Sequence, residues 1–132
     1  MVARIEQARP RSWTIDDSSE LYRLSSWGSP FFFVNEQGNM AVHGVDACNT
    51  ALDIAAIVAE LRQRRVALPV LIRFQDILSV QVRRLNEAFA GAIAEAEFGN
   101  VYRGVYPIKV NQLHEVVDEI REAGRKYGLG LE

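Results

Sequence analysis

The chain has 132 residues, of which 48% are hydrophobic and 24% charged, and its formal net charge is -2. That composition suits one modest globular domain, and the absence of a basic field argues against nucleic acid as a partner. No apolar run approaches the ~20 residues of a membrane-spanning helix, and residues 1–11 lack the apolar centre of a secretory signal. The expectation is a soluble, cytoplasmic protein with no membrane contact.

Residues 1–12 are polar and Arg-bearing and read as a loose tail. Asp16, Asp17, Ser18 and Ser19 precede Leu21 and Leu24, which predicts a short capped helical turn, and Ser25 to Pro30 reads as turn chemistry. Phe31 to Asn35 and Met40 to His43 are strand-like runs separated by Glu36-Gln37-Gly38-Asn39. Gly38 can supply the positive φ of a tight connection, so a β-hairpin is predicted. Cys48, the single cysteine, has no partner for a disulfide and no CxxC spacing for zinc, and reads as a small half-buried residue.

From Thr50 the apolar period changes to 3.6. Ile54, Ile57, Val58 and Leu61 share one face of an amphipathic helix. After Pro69, Val70 to Phe74 reads as a buried strand. Leu78, Val82, Leu85, Phe89 and Ala92 then form the apolar stripe of a second helix, broken at Gly99-Asn100. Val101 to Val110 reads as another strand with Pro107 near its end. Asn111 can cap the next element, a helix with Leu113, Val116, Val117, Ile120 and Tyr127 on one face, ended by Gly128 and Gly130. Helix and strand thus alternate, the mark of a parallel α/β sheet or barrel. A chain that stops at Leu131-Glu132, where a strand has barely begun, reads as truncated.

Lys109 is the residue that needs a reason, because it stands near the carboxyl end of an apolar strand. On an exposed edge strand a lysine guards against sheet-to-sheet pairing. At the carboxyl ends of parallel barrel strands, where active sites lie, a lysine in a desolvated pocket can form a Schiff base. Period-2 alternation places Val101, Arg103, Val105, Pro107 and Lys109 on one face. Pattern alone leaves both readings open and names no cofactor. His43 and His114 lack the paired neighbours of a zinc site, and Asp16-Asp17 and Asp118-Glu119 read as helix-surface charge, so no metal site is expected from the residues.

The string Val105-Tyr106-Pro107-Ile108-Lys109-Val110-Asn111-Gln112 resembles the cofactor-lysine motif of biosynthetic arginine decarboxylases. Its Tyr-x-x-Lys-x-Asn core is similar to that of the wider family with ornithine and diaminopimelate decarboxylases. The resemblance extends to Trp27-Gly28, to Val34-Asn35-Glu36-x-Gly38, to Leu68-Pro69-Val70-Leu71 and to Phe74-x-Asp76-Ile77-Leu78. It also covers Arg84-Leu85-Asn86-x-Ala88-Phe89 and Gly128-Leu129-Gly130-Leu131-Glu132.

This resemblance implies an α/β fold that starts a pyridoxal-phosphate-binding (β/α)8 barrel of the alanine racemase kind. It implies three segments: the tail at 1–12, a short helix and β-hairpin at 13–48 belonging to a β-domain, and the first βα units of an incomplete barrel at 49–132. It implies decarboxylation of L-arginine to agmatine and CO2 in polyamine biosynthesis. Lys109 would hold pyridoxal 5'-phosphate as a Schiff base, and Glu132 aligns with an acidic position near the cofactor. Leu-Glu is also a common cloning junction, the alternative origin of the last two residues. A magnesium ion and a homo-oligomeric full-length enzyme are suggested in the same way. The competing readings are a decarboxylase of another basic amino acid and a binding or assembly module in which Lys109 is structural. The 132-residue chain alone is expected to lack activity.

Overall fold

The computed structural model describes residues 11–44 and 50–132. Most of the expected tail, and Cys48 with the surrounding loop, lie outside the described residues. The chain forms two compact units, Met1–Ala67 and Leu68–Glu132.

In the first unit, helix α1 spans Ile15–Leu21 and opens with a capping box. The Thr14 hydroxyl accepts from the Asp17 amide at 3.1 Å, and the Asp17 carboxylate accepts from the Thr14 amide at 2.8 Å, so two otherwise orphaned helix donors are satisfied. The turn expected at Ser25–Pro30 begins instead as a helical turn, α2, over Leu24–Trp27, entered through Arg23 in the left-handed region at φ 52°. Gly28 then folds the chain back tightly. Its carbonyl accepts from the amides of Phe31 and Phe32, each at 2.8 Å, and a Cβ at Gly28 would lie 2.9 Å from both Leu24 O and Phe32 Cβ.

The predicted hairpin is present as β1, Phe32–Val34, and β2, Met40–His43. Phe32 pairs with Val42, Phe33 with Ala41 and Val34 with Met40, and Gly38 takes φ 79° in the connection. A third strand, β3, Ala51–Asp53, was not anticipated and pairs antiparallel to β2. The small antiparallel sheet therefore runs β1-β2-β3. Its central strand supplies the deepest core positions, Ala41 and Val42, with Leu24 and Phe31 beside them in the buried set. Asp53 ends β3 and caps α3, Ile54–Gln63, accepting from the Ala56 amide at 3.1 Å.

The second unit corrects two expectations. Val70–Phe74 forms no strand ladder, although exposure alternates along it, with Leu71 and Arg73 exposed and Val70, Ile72 and Phe74 half-buried. A strand needs a partner to satisfy its amides, and no described segment pairs with this one. Helix α4 follows over Gln75–Glu95. Its expected stripe is only partly covered: Leu85 and Phe89 remain 49% and 43% exposed, while Val80 and Asn86 are buried. Asn86 is accommodated because its side-chain amide donates to Val82 O at 2.8 Å, and Phe89 stacks on Tyr102 at 3.9 Å.

The second correction is the strand expected over Val101–Val110, which is reduced to β4, Val105–Tyr106. Pro107 has no amide to donate, and Ile108–Val110 turns into a 3-10 segment that ends the period-2 alternation before Lys109. Helix α5, His114–Gly124, packs on α4 and buries Val116 and Ile120. A 3-10 turn at Arg125–Tyr127 and Gly128 at φ 67° then lead into β5, Gly130–Leu131. Strands β4 and β5 are parallel, with Val105 opposite Gly130 and Tyr106 opposite Leu131. The result is a β4-α5-β5 unit, and the chain as a whole is mixed α/β with one small antiparallel sheet.

Candidate functional site

Parallel strands joined through a helix point the same way, so the residues just past each strand emerge at one end of the pair. Here Glu132 directly follows β5, while β4 is followed by Pro107 and by the 3-10 turn Ile108–Val110 that bears Lys109. The pairing continues beyond the strands proper: Glu132 N donates to Tyr106 O at 3.0 Å, and Ile108 N donates to Glu132 O at 2.7 Å. The main chains of Ile108 and Glu132 thus extend the two-stranded ladder, and Lys109, next to Ile108 in the chain, and Glu132 are both exposed.

The turn carrying Lys109 is defined by its neighbours. Val110 N donates to Pro107 O and Asn111 N donates to Ile108 O, each at 3.1 Å. The half-buried Tyr106 reaches over the turn, its hydroxyl donating to Asn111 O at 3.2 Å. Asn111 was expected to cap α5. Its side chain does accept from Leu113 N at 3.2 Å, while Leu113 itself holds the cap position. Tyr106 and Asn111 are thus joined across the turn that contains Lys109.

The other candidates are surface features. His114 and Arg121 face Asp118 along the exposed side of α5, at 3.1 Å and 3.4 Å, and His43 stacks on Phe33 at 4.1 Å. Among the described residues no group of three or more His, Cys, Asp and Glu could hold a metal ion. No helix among them is long and apolar enough to cross a membrane. A cleft of about 210 Å³ lined by Asn86, Ala90, Ile93, Asn100, Tyr102 and Tyr127 includes neither Lys109 nor Glu132.

Sequence reasoning missed one polar hub, in the first unit. The Asp53 carboxylate accepts from the side-chain amides of Asn35 and Asn39, each at 2.9 Å, as well as from Ala56 N. The Asn39 hydrogen bond, then the Ala56 amide, then Asn35 hold its carboxyl below the usual carboxylate range.

The second unit is thus an α/β arrangement in which the turn bearing Lys109 and the residue Glu132 follow the ends of a parallel pair of strands. No protein-family model matches the chain. It is 47% identical over 125 residues to biosynthetic arginine decarboxylase 1 of Synechocystis, a match that covers 95% of this chain and 18% of that protein. It is 43% identical over 122 residues to the biosynthetic arginine decarboxylase of Gloeobacter violaceus and 39% identical over 120 residues to that of Trichlorobacter lovleyi, each match covering 19% of the relative. The chain is thus homologous, over nearly its whole length, to a segment of the biosynthetic arginine decarboxylases, and it spans about one fifth of the length of these curated relatives.

Proposed function

We propose that this chain is part of a pyridoxal-phosphate-dependent enzyme that decarboxylates L-arginine to agmatine and CO2, with Lys109 holding the cofactor and Glu132 beside it. The observation that carries the reading is the shared strand end: Lys109 lies in the turn that follows β4 and Glu132 directly follows β5, and the Ile108–Glu132 and Glu132–Tyr106 main-chain hydrogen bonds hold that turn to the end of β5. The name and identity of the relatives support the choice of reaction.

The residues present fit one end of the cofactor. An exposed primary amine on a defined turn is the group an aldehyde condenses with, and a carboxylate brought to that amine could hold or pass a proton there. When bound, pyridoxal phosphate supplies the electron sink for loss of the α-carboxylate. Lys109 and Glu132 anchor, orient and move protons at that end of the ring.

The proposal includes the architecture. The β4-α5-β5 unit, with α4 packed on α5, is read as the beginning of a (β/α)8 barrel contained in residues 49–132, and the hairpin within 13–48 as part of a separate β-domain. The whole enzyme is read as a cytoplasmic homo-oligomer. Borohydride reduction of the full-length, cofactor-loaded protein followed by peptide mapping tests the site. A pyridoxyl group on the peptide bearing Lys109 is expected, and one on any other lysine overturns the assignment. Lys109→Ala should lower kcat by about a hundredfold to ten-thousandfold, the range for removal of a positioned proton-transfer group, or by more.

A further inference from the structure

We infer that Tyr106 is a positioning residue for Lys109, acting through the main chain and not by touching substrate or cofactor. This rests on the proposed function of Lys109 and deepens it.

A 3-10 turn is a weak element: it is short, and its hydrogen bonds are poorly aligned. The turn Ile108–Val110 has two such bonds of its own, Val110 N to Pro107 O and Asn111 N to Ile108 O. It is entered through a proline, so no amide at residue 107 can tie its start to the neighbouring strand. What fixes it comes from outside. On one side the main chain of Glu132 accepts from Ile108 N at 2.7 Å. On the other the Tyr106 hydroxyl spans the turn and donates to Asn111 O at 3.2 Å. Lys109 lies between these two clamps, and its exposed four-carbon stem has nothing else in the described contacts to hold it.

The geometry gives the phenol a specific task. Tyr106 is the last residue of β4, half-buried, so its ring is held by the strand while its hydroxyl reaches a carbonyl five residues on. Asn111 in turn accepts from Leu113 N through its side chain, which links the clasp to the start of α5. Strand, lysine turn and helix become one rigid connection. An amine on a flexible stem reacts well only when its Cα is fixed, because a displacement of about 1 Å at a reacting group can lower a rate by roughly a hundredfold. A phenylalanine at position 106 would keep the ring and lose the clasp.

The test uses the full-length protein, with Tyr106→Phe as the variant and Tyr102→Phe as the control, since Tyr102 lines the separate cleft beside α4. In the cofactor-free protein, amide hydrogen exchange at residues 108–111 should quicken by about fivefold or more in Tyr106→Phe, the consequence of one lost hydrogen bond, while α5 exchanges as before. In the loaded protein kcat should fall by about tenfold to a hundredfold with the KM for arginine nearly unchanged, because the substrate's own contacts are untouched. The pH at which the bound cofactor's absorbance changes should also move, as a merely structural lesion would not make it do. Tyr102→Phe should show none of these effects. If Tyr106→Phe loosens the whole protein, the ratio of exchange at 108–111 to exchange in α5 still decides, and an unchanged ratio overturns the inference. Borohydride mapping of the unsubstituted protein separates the two layers. An adduct away from Lys109 overturns the functional reading and this inference with it, whereas an adduct on Lys109 with unaltered exchange and kcat in Tyr106→Phe overturns the role of Tyr106 alone.

Discussion

Asp53 ties three partners that the chain supplies from three places: Asn35 and Asn39 around the hairpin connection, and the Ala56 amide in the first turn of α3. Removing one carboxylate should therefore loosen both the connection and the helix start. Asp53→Ala is expected to lower the thermal midpoint more than Thr14→Ala, whose hydroxyl serves one helix only. The pH dependence has a definite sign. The folded carboxyl titrates below its unfolded value, so its stabilisation is fully present above the ordinary carboxylate pKa of about 3.9 and is lost as pH falls through the folded value. The gap in stability between the natural chain and Asp53→Asn should hold from neutrality down to mild acid and close only in the more acidic range. A gap that closes near neutrality would refute this account. Val42, the largest fully buried side chain among the described residues, sits in the middle strand of the sheet. Val42→Ala should cost about 1.5–3 kcal/mol in urea unfolding, the lost transfer energy of two methyl groups plus the cavity left behind.

Two helical glycines separate intrinsic propensity from packing. Gly91 lies inside α4 with nothing within 4 Å of where a Cβ would stand. Gly91→Ala should therefore stabilise the second unit by about 0.5–1 kcal/mol. At Gly124 a Cβ would come within 2.5 Å of the Leu129 Cβ, where the chain leaves α5 and turns back toward β5. Gly124→Ala should lower the thermal midpoint although it raises helix propensity, and equal effects at the two sites would count against this packing. The same contrast explains what was legible in the sequence. The hairpin could be read because Gly38 and the two flanking apolar runs are local signals, and α3, α4 and α5 because their period spans several turns. Strand β3 could not be read, since Ala51-Leu52-Asp53 is three residues long and runs directly into a helix. Val70–Phe74 kept the alternation of a strand but not its ladder, because hydrogen bonding depends on a partner that composition does not specify. The α4 stripe was correct in period, yet Leu85 and Phe89 stay largely exposed while Asn86 is buried, because burial depends on which neighbour arrives. At the candidate site the motif pointed to Lys109 and the wider resemblance to Glu132, and the parallel pairing of β4 with β5, which joins their neighbourhoods, depends on long-range contacts that no local spacing carries.

At the scale of the whole molecule the relevant quantity is how much of a catalytic site these residues enclose. Both Lys109 and Glu132 are exposed, and the parallel sheet that presents them has two strands. Electrostatic catalysis depends on charges held in a site from which water is excluded, and an open ladder end leaves the amine and carboxylate in full contact with solvent. Apolar surface is exposed nearby in sequence as well, with Val101 at 67%, Val105 at 57% and Val110 at 66%. In the relatives the matched segment is about one fifth of the protein. The 132-residue chain on its own should therefore make no agmatine above the uncatalysed level and should bind a hydrophobic-surface dye more strongly, per residue, than the full-length protein. Trapping an aldehyde on the proposed Lys109 amine would need less than the full reaction does. An exposed amine on a defined turn should still be trapped by borohydride with pyridoxal phosphate at high concentration, without the tight binding of the complete protein. Agmatine formation by the isolated chain, measured by chromatography, would show that enclosure is not required and would refute this expectation.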